Sequence, residues 1–455
     1  MTVALAAATG GCVDAGLRRL DGRPVGWFRL QGGKRRGAIG PVEGDTIARL
    51  VAIAVDAGRP VVGVLDTSGA DVSEGIASLH AWGRVASALA RASGVVPIVL
   101  VVVGPCVSGP ALLLGLADVV VMTTDAFAYV SGPDSVLAMT GRQPTPAALG
   151  GAAVHQLRSG VATLVVDDED EALAASSDVL AFLPANNLEL PPAHPCDDPV
   201  DRDCSIAAGA VPTSPTASYD MRTVVDDVID RHSMLELRPD WAPSLVTALG
   251  RVGGRPVGVV ANQPGRMAGT LDIEAAQKGA RFVQWCDAFG LPLLTFVDTP
   301  GFLPGRDIEW RGMIRHGAEL VHAYAAATVP RICVIVRKAY GGAYIVMDSK
   351  SLGSDLCVAW PTAEVAVMGA AGAVRVLHRR HLAAIADPTQ QAREEAALVA
   401  DYETRFCTPA IAAERGIIDD VIAPEDTRRI IAGALPLLAD KREHLPRRRH
   451  ANGPL

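Results

Sequence analysis

An apolar run from Ile332 to Val336 ends at a glycine pair, Gly341 and Gly342, and a helix-compatible run, Ala343 to Met347, begins at once. A strand entering a helix through two glycines leaves the first helical N–H groups without internal partners, and the helix dipole makes that end positive. Glycine also lets a ligand oxygen approach the backbone closely. The chemistry that suits such a turn is stabilisation of an oxyanion by backbone amides, for instance an enolate beside a thioester or ureido carbonyl. An isolated Gly-Gly more often marks a tight turn and nothing else. A second stretch has the same layout: an apolar run from Val96 is followed by Ser108, Gly109 and Pro110. No side-chain machinery competes with these turns. There is no GxSxG elbow, no HExxH and no GxxxxGK[ST]. His378, in LHRRH, is the obvious acid-base candidate, but it lies beside Arg379 and Arg380, where a helical histidine more often serves structure or an interface.

The elements that carry the two turns are related by an internal duplication. DGRPVG at Asp21 to Gly26 returns as GGRPVG at Gly253 to Gly258. VVGVLDTSG, with Asp66 and Thr67, returns at the same offset as LLTFVDTPG, with Asp298 and Thr299. VVPIVLVVVGPCVSGPA matches TVPRICVIVRKAYGGAY, which sets Ser108–Gly109–Pro110 opposite Gly341–Gly342–Ala343. The β-turn-α rhythm within each copy predicts an α/β fold, with helices from about Glu43 to Ala57, Gly75 to Ala92, Asp272 to Ala288 and Gly312 to Ala327. Two copies of one domain make a pseudo-twofold object with a cleft between its halves. The boundaries follow from composition: residues 1–21 form a flexible N-terminus, 22–183 the first domain, 184–217 a linker rich in Pro, Asp and Ser, and 218–455 the second domain.

The remaining composition excludes several classes. A chain of 455 residues is long enough for two domains with sizeable cores, and no apolar run is long enough to span a bilayer. A net charge of −8 argues against a nucleic-acid partner. The eight cysteines include no CxxC pair, so neither a metal site nor a disulfide frame is expected, and a reducing, cytoplasmic setting is.

Longer motifs carry a resemblance. GRPVGVVANQP from Gly254, FVQWCDAFGLPLLTFVDTPGFLPG from Phe282, RKAYGGAYIVM from Arg337, AWPTAEVAVMGAAGAVRVLHRR from Ala359 and FLPANNLELPP from Phe182 follow one another in order. The chain resembles the carboxyltransferase (β) subunit of biotin-dependent acyl-CoA carboxylases of the propionyl-CoA and acetyl-CoA type. The resemblance implies two tandem crotonase-like (ClpP/crotonase) domains, the first for acyl-CoA and the second for biotin. It implies an enzyme that moves a carboxyl group from carboxybiotin to the α carbon of a short acyl-CoA. In the family carboxybiotin gives up CO2 in the site and the freed biotin takes the α-proton, so no side-chain base need appear. Carried over by motif, Gly342 and Ala343 would form the oxyanion hole of the biotin half, Ser108 and Gly109 that of the acyl-CoA half. Tyr344 and Ile345 would shape the acyl pocket, with Ile345 where propionyl-selective relatives carry Asp.

The first half departs from the family pattern. GPCVSGPA replaces GPCAGGA, so Ser108 stands for a glycine and Pro110, which has no N–H, for an alanine. DTSGADVSEG replaces DSGGARIQEG, with Asp71 for arginine, and GDTI replaces GQKI, with Thr46 for lysine. Both changes remove cations near the expected nucleotide end of CoA, and the Gly-rich loop holding Lys34, Arg35 and Arg36 is the expected replacement. The chain starts about seventy residues into the family pattern and holds neither an ATP-binding carboxylase domain nor a biotin-attachment motif. The resemblance therefore implies a biotin carboxylase and biotin carboxyl carrier (α) subunit as partner, in an oligomer that is a hexamer in the family. It leaves open a decarboxylase or transcarboxylase of the same fold, and a non-catalytic structural subunit paired with an intact β chain.

Overall fold

The computed structural model describes residues 3–4, 11–214, 216–441, 443 and 445–454. They fall into two compact units, one running to Pro192 and taking in Ala288–Gly290, the other covering Ala193–Asp287 and Leu291–Leu455.

In the first unit β1 (Val3–Ala4), β2 (Val13–Leu20), β3 (Arg23–Leu30), β4 (Val61–Thr67), β5 (Ile98–Val107), β6 (Val119–Thr123), β7 (Phe127–Tyr129) and β8 (Leu164–Val166) make one sheet. Its order is β1-β2-β3-β4-β5-β6-β8, with β7 paired to β5. β2 and β3 form an antiparallel hairpin through Asp21 and Gly22, both at positive φ as a two-residue hairpin turn requires. From β3 onward the strands run parallel. A parallel strand is covered on both faces, and this is why β5 opens with an unbroken apolar run whose residues 98–102 are all fully buried. Helices Pro41–Asp56 and Ile76–Ala92 supply the crossovers, and Ile47, Leu50, Val85 and Leu89 join the core they cover.

The second unit repeats this plan. β9 (Leu235–Glu236), β10 (Leu245–Val252), β11 (Arg255–Asn262), β12 (Leu293–Thr299), β13 (Arg331–Tyr340), β14 (Leu356–Ala359), β15 (Glu364–Ala366) and β16 (Asp420–Val421) form a sheet ordered β9-β10-β11-β12-β13-β14-β16, with β15 paired to β13. Each strand has its counterpart in the first sheet at the same place. Even the irregularity repeats: the β4–β5 register shifts between Leu65 and Thr67, and the β12–β13 register between Val297 and Thr299. Helices Ile273–Ala288 and Met313–Ala326 are the matching crossovers.

Two boundaries differ from the sequence reading. Residues 13–20, expected in a flexible terminus, form β2, because Val13 and Ala15 are core residues and the hairpin pairs every residue of the strand with β3. Residues 1, 2 and 5–10 lie outside the described residues. The stretch expected as a linker divides at Pro192, and its second part is built into the second unit. Its acidity serves structure: Asp198 holds Arg202 at 2.7 Å, and Cys204 and Ala207 are fully buried beside the helix Met221–Val228. Among the described residues no helix is long and apolar enough to cross a membrane, and no cluster of His, Cys, Asp or Glu could hold a metal ion.

Candidate active site

The end of β13 delivers the glycine pair. Lys338, Ala339 and Tyr340 pair with β15, and the helix Gly341–Val346 starts at the next residue. Gly341 lies in the left-handed region at φ 59°, where a Cβ would also come within 2.9 Å of the Val367 carbonyl oxygen. Gly342 is exposed and Ala343 buried, and their N–H groups belong to the first helical turn, which no helical carbonyl reaches. A cavity of about 570 Å³ opens against this turn. Gly341, Gly342, Tyr344 and Ile345 line one side; Val367, Tyr402, Phe406, Arg415 and Ile417 line the other. Ile345 is 39% exposed, so its side chain faces open space. Tyr344 is buried, and burial together with the Cys357 and Cys333 thiols pushes its phenol pKa up.

A buried network braces the strand that leads into the turn. Asp298, at the end of β12, accepts from Arg337 Nε at 3.0 Å, the Lys338 N–H at 3.1 Å and the Tyr219 hydroxyl at 2.8 Å. Burial pushes the Asp298 carboxyl up, and the Arg337 charge and these donors oppose that rise. Arg337 also donates to the Ala217 carbonyl at 2.8 Å and lies over the Tyr219 ring.

The equivalent turn of the first unit is built on the same register. Val107 pairs with Tyr129 as Tyr340 pairs with Ala366, so Ser108, Gly109 and Pro110 occupy the places of Gly341, Gly342 and Ala343. Ser108 lies at positive φ like its counterpart, φ 65° and ψ −151°, with a side chain attached. Its N–H is committed to the Tyr129 carbonyl at 2.9 Å, and the Ala111 N–H goes back to the Ser108 carbonyl at 3.0 Å. Pro110 has no N–H. The amide of Gly109 is therefore the one this turn can offer. Trp82 packs its indole against that residue: a Cβ on Gly109 would lie 2.8 Å from Trp82 Cε2.

The basic loop is less basic than its sequence. Lys34 and Arg36 are exposed, whereas Arg35 forms an ion pair with Asp71 and lies 3.9 Å from both Glu43 and Glu74. Asp71 also caps the short turn Val72–Glu74 by accepting from the Ser73 N–H at 2.9 Å. Thr46 returns its hydroxyl to the Val42 carbonyl of its own helix at 2.7 Å. His378 sits at the joint between the helices Ala370–Leu377 and Arg379–Ala383, where its N–H closes the first and its carbonyl accepts from Leu382.

Sequence reasoning missed the far wall of the cavity and the Asp298 network. The wall carried a readable trace: Tyr402 and Phe406 are four residues apart on a mostly polar segment and meet with ring centroids 4.9 Å apart. The network carried none, since Tyr219 and Arg337 are far apart in the chain.

Comparison with known proteins adds the following. Residues 2–453 match the family described as the carboxyl transferase domain. The chain is 44% identical to the propionyl-CoA carboxylase beta chain of Saccharopolyspora erythraea, covering 97% of this chain and 83% of that one. It is 39% identical to the methylmalonyl-CoA decarboxylase subunit alpha of Propionigenium modestum, over 97% of this chain and 85% of that one. Its structure resembles that of transcarboxylase 12S, a hexamer assembly with methylmalonyl-CoA and methylmalonic acid bound, with a TM-score of 0.96 and 38% identity over all of this chain and 89% of that one.

Proposed function

The chain belongs to the carboxyl transferase domain family, and from that premise we propose that it is the carboxyltransferase component of an acyl-CoA carboxylase, acting on a short acyl-CoA at two amide turns on crotonase-like domains. The observation that carries the reading is the Gly341–Gly342–Ala343 turn at the edge of an open, largely apolar cavity. Two adjacent amides there can hold one carbonyl oxygen as it gains charge, beside an apolar wall that includes Ile345, Phe406 and Ile417. We assign this apolar cavity of about 570 Å³ to the ureido ring of biotin, whose oxygen would accept from Gly342 and Ala343. Biotin would arrive on a biotin carboxylase/biotin carboxyl carrier (α) partner and supplies the carboxyl group to be moved. Acyl-CoA would be held by the first unit, with its enolate oxygen on Gly109 and its nucleotide end near Lys34 and Arg36. Ile345 leaves the cavity floor apolar, which discriminates weakly between acyl chains one methylene apart.

The test is Gly342→Pro, which removes one donor at a first-turn position that accepts proline. Carboxyl transfer from methylmalonyl-CoA to free biotin should fall by about 10²–10³, with folding and oligomeric state unchanged. Unchanged turnover would remove this turn from the mechanism. One observation favours a second reading, a subunit that supports an intact β chain: Pro110 stands opposite Ala343 without an N–H and the Ser108 N–H is taken by Tyr129, so the first turn offers one amide where the second offers two, and one oxyanion-hole donor is worth about 2.7–4 kcal/mol. Wild-type protein inactive in the free-biotin assay, yet restoring activity when mixed with a complete β chain, would establish that second reading.

A further inference from the structure

Beneath the Gly341 turn the second unit buries a charge pair at a place where the first unit buries none. Arg331, 1% exposed, opens β13 and sends Nη1 to Asp348 Oδ1 at 3.0 Å. The same guanidinium collects the Tyr324 carbonyl, where the helix Met313–Ala326 ends, at 2.8 Å, and the Leu352 and Gly353 carbonyls at 3.1 and 2.6 Å. Asp348 is completely buried, with Thr295 Oγ1 at 3.5 Å from its other oxygen and Thr295 in turn bonded to the Tyr324 hydroxyl at 2.9 Å. Its backbone lies in the left-handed region at φ 56°, which Asp tolerates better than most residues but at a cost in strain.

Asp348 follows the turn-bearing helix by two residues. That helix has only six residues, Gly341–Val346, too few to hold itself in place. Its C-terminal end is gripped from outside: Ser349 Oγ donates to the Ile345 carbonyl at 3.0 Å, Cys333 Sγ approaches the Met347 carbonyl at 3.7 Å, and the Asp348 carboxylate is fixed by Arg331. Burial pushes the Asp348 carboxyl up to about 7, against the pull of Arg331.

The duplication supplies an internal control. In the shared register Ile98 stands where Arg331 does and Gly63 where Thr295 does. There the space is apolar: Ile98 and Leu100 are fully buried, and Gly63 is filled by the Phe28 ring. The fold thus closes over this position without any charge. A buried ion pair seldom adds stability over a well-packed apolar replacement, so stability of the fold does not account for it. The half that carries the charge pair is the half whose turn keeps both amides.

We propose that Arg331 and Asp348 are positioning residues for carboxyl transfer: they lock the C-terminal end of the helix Gly341–Val346 so that the Gly342 and Ala343 N–H groups stay aimed at the reacting oxygen. The inference rests on the reading of that turn as catalytic. It predicts a defect in turnover at temperatures where the variants are fully folded. Asp348→Asn keeps the shape, a residue that tolerates φ 56° and an acceptor for Arg331 but removes the charge; Arg331→Met with Asp348→Asn removes both charges. With free biotin and methylmalonyl-CoA as substrates and the full-length protein in its native oligomer, Asp348→Asn should lose about 100-fold in kcat with KM for methylmalonyl-CoA nearly unchanged. The double variant, assayed well below its own Tm, should keep the same kcat defect. Should Asp348→Asn fail to fold, the double variant decides alone. Wild-type kcat in the double variant would overturn the proposal, as would wild-type kcat in Asp348→Asn. Gly342→Pro, run beside them, separates the two ideas: full activity there removes the turn itself, whereas an inactive Gly342→Pro with an active double variant removes only the role of the pair.

Discussion

Ser108 and Gly341 both lie at positive φ, 65° and 59°, and only one of them is a glycine. A side chain at φ 65° and ψ −151° is strained by about 1–3 kcal/mol, and glycine would return part of that gain as chain entropy, about 0.5–1 kcal/mol. Ser108→Gly should therefore stabilise the protein by about 1 kcal/mol, read as a rise in Tm, with no new donor because the Tyr129 carbonyl keeps the same N–H. A fall in Tm would mean that the hydroxyl has a partner that outweighs the strain. The departure at Ser108 and Pro110 was legible in the sequence, since the duplication sets a glycine and an alanine opposite them. What the sequence did not show is which amide faces outward. That depends on β7 accepting from Ser108, a contact made by a three-residue strand with no signature of its own.

At the scale of an element, the loop from Thr67 to Gly75 decides how much positive charge the first unit presents. Counting residues gives Lys34, Arg35 and Arg36 as three cations, but the loop brings Asp71 onto Arg35 and leaves two. Asp71→Asn would keep the carbonyl oxygen that caps Val72–Glu74 and release the guanidinium. We expect CoA esters to bind up to about fivefold tighter to that variant at low salt, with the gain disappearing at high salt as screening sets in. Calorimetry at the two ionic strengths measures it, and equal affinity for both proteins at low salt would show that Arg35 does not reach the ligand. Strand identity in this region was readable from β-rich runs bounded by glycine. The pairing of Arg35 with Asp71 was not, because a salt bridge between loops leaves no periodic mark.

At the scale of the molecule, the duplication was legible because its motifs sit on core strands and at tight turns, where few residue types fit. The terminal strand β2 was missed because its burial comes from a hairpin partner, and the supposed linker because its aspartates look solvated until Arg202 and Arg428 are placed beside them. As the carboxyltransferase component proposed above, the chain should be isolated from its native cells together with a biotinylated chain, detectable with streptavidin. Purification to homogeneity with no such chain, and no transfer to any added biotinyl carrier, would count against a role in carboxylation. The packing of Trp82 on Gly109 has a further consequence, and it is optical. The protein has six tryptophans, and Trp82 is one of four whose buried Nε1–H has no hydrogen-bond partner among the described residues, so its emission should respond to what settles over the first turn. That places a native fluorophore at the one amide the first unit still offers, and arrival of a ligand there changes the colour and yield of its light without any label.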